Sequence, residues 1–306
     1  LCGLFFLPLD IDLADAQNAV HQPTFWLFSR LTVSVGYLFF LIAANAPLLQ
    51  RYYSYSGQND ASDPYFLYSA SNAGSLLALV TYPFLFEPFL RVSQQKGFWS
   101  ALYLFQILLV LFCVSLIRKQ HSAEPVVQSS GDKRPPVKSV LLWAFLGFVP
   151  CSAMLAVTTH IATDIASGPL LWIFPLSIYL VSFILVFAKN PLWREIRWDR
   201  RLIHGVVISF VLYHFSISDP SWLAIPLHFI TLFLVCMYFH GQLARMRPAT
   251  EHLNSYFVWM SAGGIAGGIF NGLIAPLVFA TQAEYIITML ISGLALSLFS
   301  RDAHEH

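Results

Sequence analysis

Long apolar runs alternate with short polar stretches along nearly the whole chain. A helix that crosses a bilayer needs roughly 20 apolar residues. Such runs lie near 31–50, 64–86, 98–117, 139–157, 166–188, 202–218, 221–240, 254–277 and 285–300, and residues 1–9 form a partial one at the start. Inside them apolar and polar residues do not alternate: "LYLFQILLVLFCVSLI" carries no period of two. The strands of a membrane barrel would show that period. The pattern therefore predicts an all-α integral membrane protein, a polytopic helix bundle of about ten segments. The polar, proline-bearing stretch "RKQHSAEPVVQSSGDKRPPVK", residues 118–138, predicts a flexible linker. It divides the chain into an N-terminal membrane half, 1–117, with about four helices, and a C-terminal half, 139–306, with about six. The chain opens on Leu1 and eight further residues of an apolar run. On this reading it begins inside a membrane segment.

Composition agrees. Hydrophobic residues make up 57% of the chain and charged residues 11%, against about 25% charged in soluble domains. Mean hydropathy is +0.64. A net charge of +1 gives no general attraction to nucleic acid, so the expected partner is the lipid bilayer. Cys2, Cys113, Cys151 and Cys236 sit in or beside apolar runs without a CxxC spacing, and read as small apolar fillers. No Asp, Glu, His or Cys grouping has metal-ligand spacing, no nucleophile–base arrangement stands out, and no glycine loop would cradle a phosphate. The expectation is a protein that is not an enzyme, with no cofactor and no metal.

Charge also orients the segments. Of the 17 basic residues, all but Arg30, Arg91 and Lys96 fall in the loops 51–63, 118–138, 189–201 and 241–253 or in the tail. Basic loops mark the cytoplasmic side. The linker and the C-terminus are then cytoplasmic, and the alternation of sides skips no segment.

Two stretches resemble each other. "PYFLYSASNAGSLLALVTYP" (64–83) and "SYFVWMSAGGIAGGIFNGLIAP" (255–276) each open on Tyr-Phe, turn small and close on Pro. If they are equivalent helices, each the fifth of a half, two segments are missing at the N-terminus. The plan then resembles a major-facilitator-type two-half bundle lacking its first two helices. The small residues serve packing. Lipid offers helices little reward for hiding leucine, so they gain by close approach. Gly264, Gly268 and Gly272 form one stripe, with Gly263 and Gly267 beside it. Gly74, with Ser71, Ala73, Ser75 and Ala78, is the counterpart in the first half. Both stripes are expected to face the other half and border a cavity.

"DPYFLYSASNAGSLLALVTYPFLFEPFL", "THIATDIASGPLLWIFPLSIYLVSFILVF" and "HGQLARMRP…HLNSYFVWMSAGGIAGGIFNGLIAPLVF" resemble the membrane portion of bacterial spermidine-synthase-like proteins, also described as fused major-facilitator/spermidine synthase proteins. The resemblance runs from about Leu31 to Phe279. It departs at Gln242, where the family carries Glu in "HGELA". It implies a module of the bacterial inner membrane without the synthase domain. That module is transporter-like and binds or moves a small metabolite, a cationic one such as a polyamine by analogy. The alternative is a non-catalytic scaffold for a protein partner, a synthase-like enzyme or another membrane protein.

Substrate-binding candidates follow from polar residues at membrane depth, which are costly there and often functional. His160 and Asp164 are four apart and share a helix face. They read as a substrate or proton site, or as a solvated helix end. Pro169 and Pro175 break the next helix, and Trp172 between them is an interfacial anchor or a cavity aromatic. Glu87, beside Pro88, pairs with a cationic substrate or with Arg91. Asn72 and Asn271, inside the two similar helices, bond a neighbouring helix or a ligand. His240 is expected to cap its helix at the edge of the cytoplasmic loop.

Overall fold

The computed structural model describes residues 23–58, 60–120, 134–165, 168, 170–189, 198–215 and 221–302. The apolar run 1–9, Pro169 and most of the 118–138 linker lie outside them. Among the described residues the chain is helical and contains no strand. That is what lipid requires, because a helix satisfies its own backbone polar groups where no water can.

The helices are α1 (Pro23–Tyr53), α2 (Phe66–Thr81), α3 (Val92–Gln120), α4 (Val137–Ile165), α5 (Ile173–Val186), α6 (Trp198–His214), α7 (Ser221–Arg245), α8 (Thr250–Val278) and α9 (Ala283–Asp302). Five of them, α1, α3, α4, α7 and α8, are long and apolar enough to cross a membrane. α5 is apolar but shorter, as is the stretch Ala283–Leu296 of α9. α5 is shorter than the run 166–188 because its helix starts only at Ile173, with Pro175 buried in its first turn. Proline is accepted in a first turn, where its missing N–H has no partner to lose. These are the helices of a membrane-embedded protein. Phe25, Phe28, Val33, Phe39 and Phe40 of α1 are all exposed, an apolar surface that water would not tolerate on this scale.

The chain forms two compact units, Leu1–Pro64 with Val80–Gln128, and Tyr65–Leu79 with Ser129–His306. Most of α2, assigned from sequence to the N-terminal half, packs in the second unit. Ser69 donates to the Ile184 carbonyl of α5 (2.8 Å), and the Tyr65 hydroxyl to the Pro248 carbonyl (2.7 Å). Tyr68 meets Phe183, Phe187 and Phe257 at ring-centroid distances of 5.0–5.3 Å. Aromatic edges and faces thus hold α2 to the second unit.

The core lies in that unit. About 50% of the spanning windows of α4 and α7 is buried, against 6% for α1 and α3. At its centre α4 crosses α8 through glycine. A Cβ at Gly263 would overlap the Ala144 carbonyl, and one at Gly147 would overlap the Met260 carbonyl. At Gly267 it would lie 2.8 Å from the Phe148 carbonyl oxygen and 3.1 Å from the Ser152 nitrogen. The backbones touch there, as small-residue packing in lipid predicts. The stripe differs by one position from the expected one. Among the described residues, a Cβ at Gly264, Gly268, Gly272 or Gly74 would meet nothing within 4 Å. Ser71, Ala73, Gly74, Ser75 and Ala78 are all exposed. The contact between α4 and α8 runs through Gly147, Gly263 and Gly267.

Four short stretches, Thr32–Gly36, Tyr82–Phe86, Ile161–Ile165 and Phe270–Ile274, widen into π-turns. Such bulges insert one extra residue and are frequent at functional sites. Asp164 and Asn271 sit inside two of them, and Glu87 follows a third.

Candidate functional site

α4 ends in a polar tip, "TTHIATD", and its last turn is one of the widened ones. His160 is buried while Asp164 stays half-open, its side chain 43% exposed. His160 Nδ1 lies 3.0 Å from Asp164 Oδ2 and 3.2 Å from Gln282 Oε1. Gln282, just ahead of α9, donates from Nε2 to Asp164 Oδ1 at 3.0 Å. Both oxygens near Nδ1 are acceptors, so Nδ1 carries the proton and donates. The three side chains close a triangle in which Asp164 accepts twice.

Around it stand groups from three other helices. The His160 ring stacks on Tyr285 of α9 (4.8 Å, 27°) and meets the edge of His228 from α7 (4.9 Å, 77°). Tyr213 of α6 lies 5.3 Å from it. His228 Nδ1 is 2.6 Å from the Tyr285 hydroxyl, while the opposite nitrogen, Nε2, is buried without a partner. Glu284, next to Tyr285 in the chain, is 7% exposed. Asp164, two histidine rings and two tyrosine rings therefore converge at one end of the second unit, with Glu284 adjacent to Tyr285 in the chain. Carboxylates attract a cation through charge, and tyrosine faces attract it through their ring quadrupole. Among the described residues no three His, Cys, Asp or Glu are placed to hold a metal ion.

The other sequence candidates lie elsewhere. Asn271 donates from Nδ2 to Ser152 Oγ (2.7 Å) and to the Gly267 carbonyl (3.0 Å), and Ser152 bonds Thr288 Oγ1 (2.9 Å). It ties α8 to α4 and α9, but its Oδ1 is buried and unpartnered. Asn72 donates to its own helix, at the Tyr68 carbonyl (2.8 Å). Trp172 is exposed at the start of α5, as an interfacial anchor would be. Glu87 is exposed in the first unit, and among the described residues no ion pair joins it to Arg91.

His240 departs from expectation. It lies inside α7, fully buried, because α7 continues to Arg245. It is no helix cap: its ring stacks on Phe183 at 3.6 Å and its Nδ1 is 2.8 Å from Ser182 Oγ. Ser182 gives its own proton to the Tyr179 carbonyl (2.7 Å). His240 must then donate to Ser182, the wrong direction for a base that activates a serine.

His228, Tyr213, Gln282, Glu284 and Tyr285 were not singled out from sequence as partners of His160. A signal existed. With strictly alternating sides, the end of the fifth run and the starts of the eighth and tenth share one membrane face. No family model, curated protein or solved structure matches the chain. Fold and site together define a polytopic helical membrane protein with a polar, acidic cluster at one end of its packed unit.

Proposed function

We propose that the second unit binds a small organic cation, and that the protein is a transporter-like membrane module. The observation that carries this reading is the half-open Asp164 in the His160–Asp164–Gln282 triangle, with the Tyr213 and Tyr285 rings against His160 and Glu284 next to Tyr285 in the chain. Asp164 receives the ammonium group, the partly exposed Tyr213 supplies an aromatic wall, and Glu284 supplies the second charge. A diamine or polyamine is the class that fits two carboxylates. It is also the class implied by the resemblance to spermidine-synthase-like membrane proteins. The half-open Asp164 leaves the site reachable from one side. The ten-segment, two-half plan of the major-facilitator type, a bacterial inner-membrane location and a cytoplasmic C-terminus belong to the same reading, supported by the loop charges and the similar helices.

The test is binding of labelled putrescine and spermidine to the purified full chain, followed by uptake into proteoliposomes. Binding that Asp164→Asn and Glu284→Gln each weaken about ten-fold or more supports the reading. A fully folded protein that binds no amine in the panel overturns it. A second reading, a scaffold for a partner helix, rests on the small-residue faces of α2 and α8 that no described residue of the second unit covers. Co-purification from the native membrane with a stoichiometric protein partner, and loss of that partner on Gly268→Leu, would favour it.

A further inference from the structure

A second site lies on the flank of the same unit. α6 and α7 come close at Gly205, where a Cβ would stand 3.0 Å from Leu234 Cδ1 and 3.4 Å from Thr231 Oγ1. Thr231 Oγ1 donates to the Gly205 carbonyl (3.1 Å) and accepts from Ser209 (2.8 Å). The polar groups of the groove floor are thus used up internally. Above the floor, Ile208 and Ile230 stand half exposed, 41% and 54%. With Leu227 and Leu234 they wall a groove of about 350 Å³. Its other lining residues, Arg201 and His204, are both exposed. Arg201 and Ile208 are seven residues apart, roughly 10 Å along the helix. The groove therefore has a cationic end and an aliphatic body.

The cationic end is held in place. The Arg201 guanidinium lies 5.9 Å from the ring of Trp198, which is only 9% exposed. Among the described residues no carboxylate pairs with Arg201. His204, beside it, donates its Nδ1–H to the Arg200 carbonyl (2.6 Å). A soluble metabolite would find no polar group along the walls, and an extended peptide would find no partner for its backbone. A phosphodiester on an acyl chain matches both ends.

We infer that the groove between α6 and α7 is a binding site for one anionic phospholipid, its phosphate on Arg201 and one acyl chain between Ile208 and Ile230. Trp198 fixes Arg201 at headgroup depth, as aromatic residues do at membrane interfaces. Basic pockets between membrane helices bind anionic headgroups by this combination.

The experiment is native mass spectrometry of the purified full chain, loaded with equal phosphatidylglycerol and phosphatidylcholine. The wild type retains one phosphatidylglycerol in preference, about five-fold, the ratio that ~1 kcal/mol per interfacial Arg provides. Arg201→Gln removes the preference while one lipid of either kind is still retained. Ile230→Trp, a lipid-facing change outside the core, fills the groove and lowers retention of both. Equal retention of the two lipids by the wild type overturns the inference. So does an Arg201→Gln protein that keeps the full preference, or displacement of the lipid by inorganic phosphate alone. Melting temperatures within about 3 °C of wild type confirm that the variants are folded.

Discussion

Adding one methyl at residue 263 or at residue 264 should give opposite results. A Cβ at Gly263 would lie 2.6 Å from the carbonyl carbon of Ala144 and 2.8 Å from its Cα. Carbon atoms in comfortable contact sit about 3.5–4.0 Å apart. The gap between α4 and α8 must therefore widen by about 1 Å. The opposing atoms are main chain, so no side-chain rotamer can absorb the strain. Widening also loosens Gly267 against Phe148 and Gly147 against Met260. Overpacking a well-packed interior costs about 1–3 kcal/mol, and a backbone contact belongs at the upper end, ~3 kcal/mol. At about 2–4 °C per kcal/mol for a unit of this size, Gly263→Ala should melt roughly 6–12 °C lower. Gly264→Ala meets open space within 4 Å and should stay within about 0.5 kcal/mol of wild type. The assay is thermal unfolding in mild detergent, followed by ellipticity. A second readout is the alkylation rate of Cys151, whose Cβ lies 3.3 Å from the position a Cβ would take at Gly267; widening the gap should raise that rate. Equal melting of the two variants, or Gly263→Ala melting with wild type, would refute the reasoning.

Three further outcomes are expected. Ser152→Ala removes the oxygen between Asn271 and Thr288; it should lower stability by about 1–2 kcal/mol, read from the same melts. Ser182→Ala leaves the Nδ1–H of fully buried His240 without an acceptor and should cost about 1–2 kcal/mol, whereas Ser182→Ala with His240→Phe removes both partners and should be close to neutral; a non-additive double-mutant cycle checks this. Asp164→Asn, at a half-open side chain, should change the melting temperature by no more than about 3 °C while amine binding falls about ten-fold; a large loss of stability would make the triangle a structural latch.

The lipid setting and most helices were legible because bilayer thickness fixes run length and Leu, Ile, Phe and Val fill the runs without alternation. The His160–Asp164 pair was legible for a local reason, since four residues bring two side chains to one face. The contact glycines were not. Gly263 and Gly264 are neighbours about 100° apart on a helix, and only the position of α4 decides which of them is covered. In a bundle surrounded by lipid both faces are apolar, so no polarity contrast marks the inner one. The partners of His160 were hidden differently. His228, Gln282 and Tyr285 lie 68 to 125 residues from His160 in sequence, and their meeting depends on the packing of three helices. His240 was misread because the apolar run ends near residue 240, whereas α7 continues to Arg245.

The glycine crossing also limits how the second unit can change shape. Two helices separated by side chains can slide, because rotamers adjust as they pass. α4 and α8 meet carbonyl to Cα at Gly147, Gly263 and Gly267, and a slide would drive main-chain atoms into one another. The pair should move as one keel. Any rocking that opens the acidic cluster must then come from α6, α7 or α9 tilting against it.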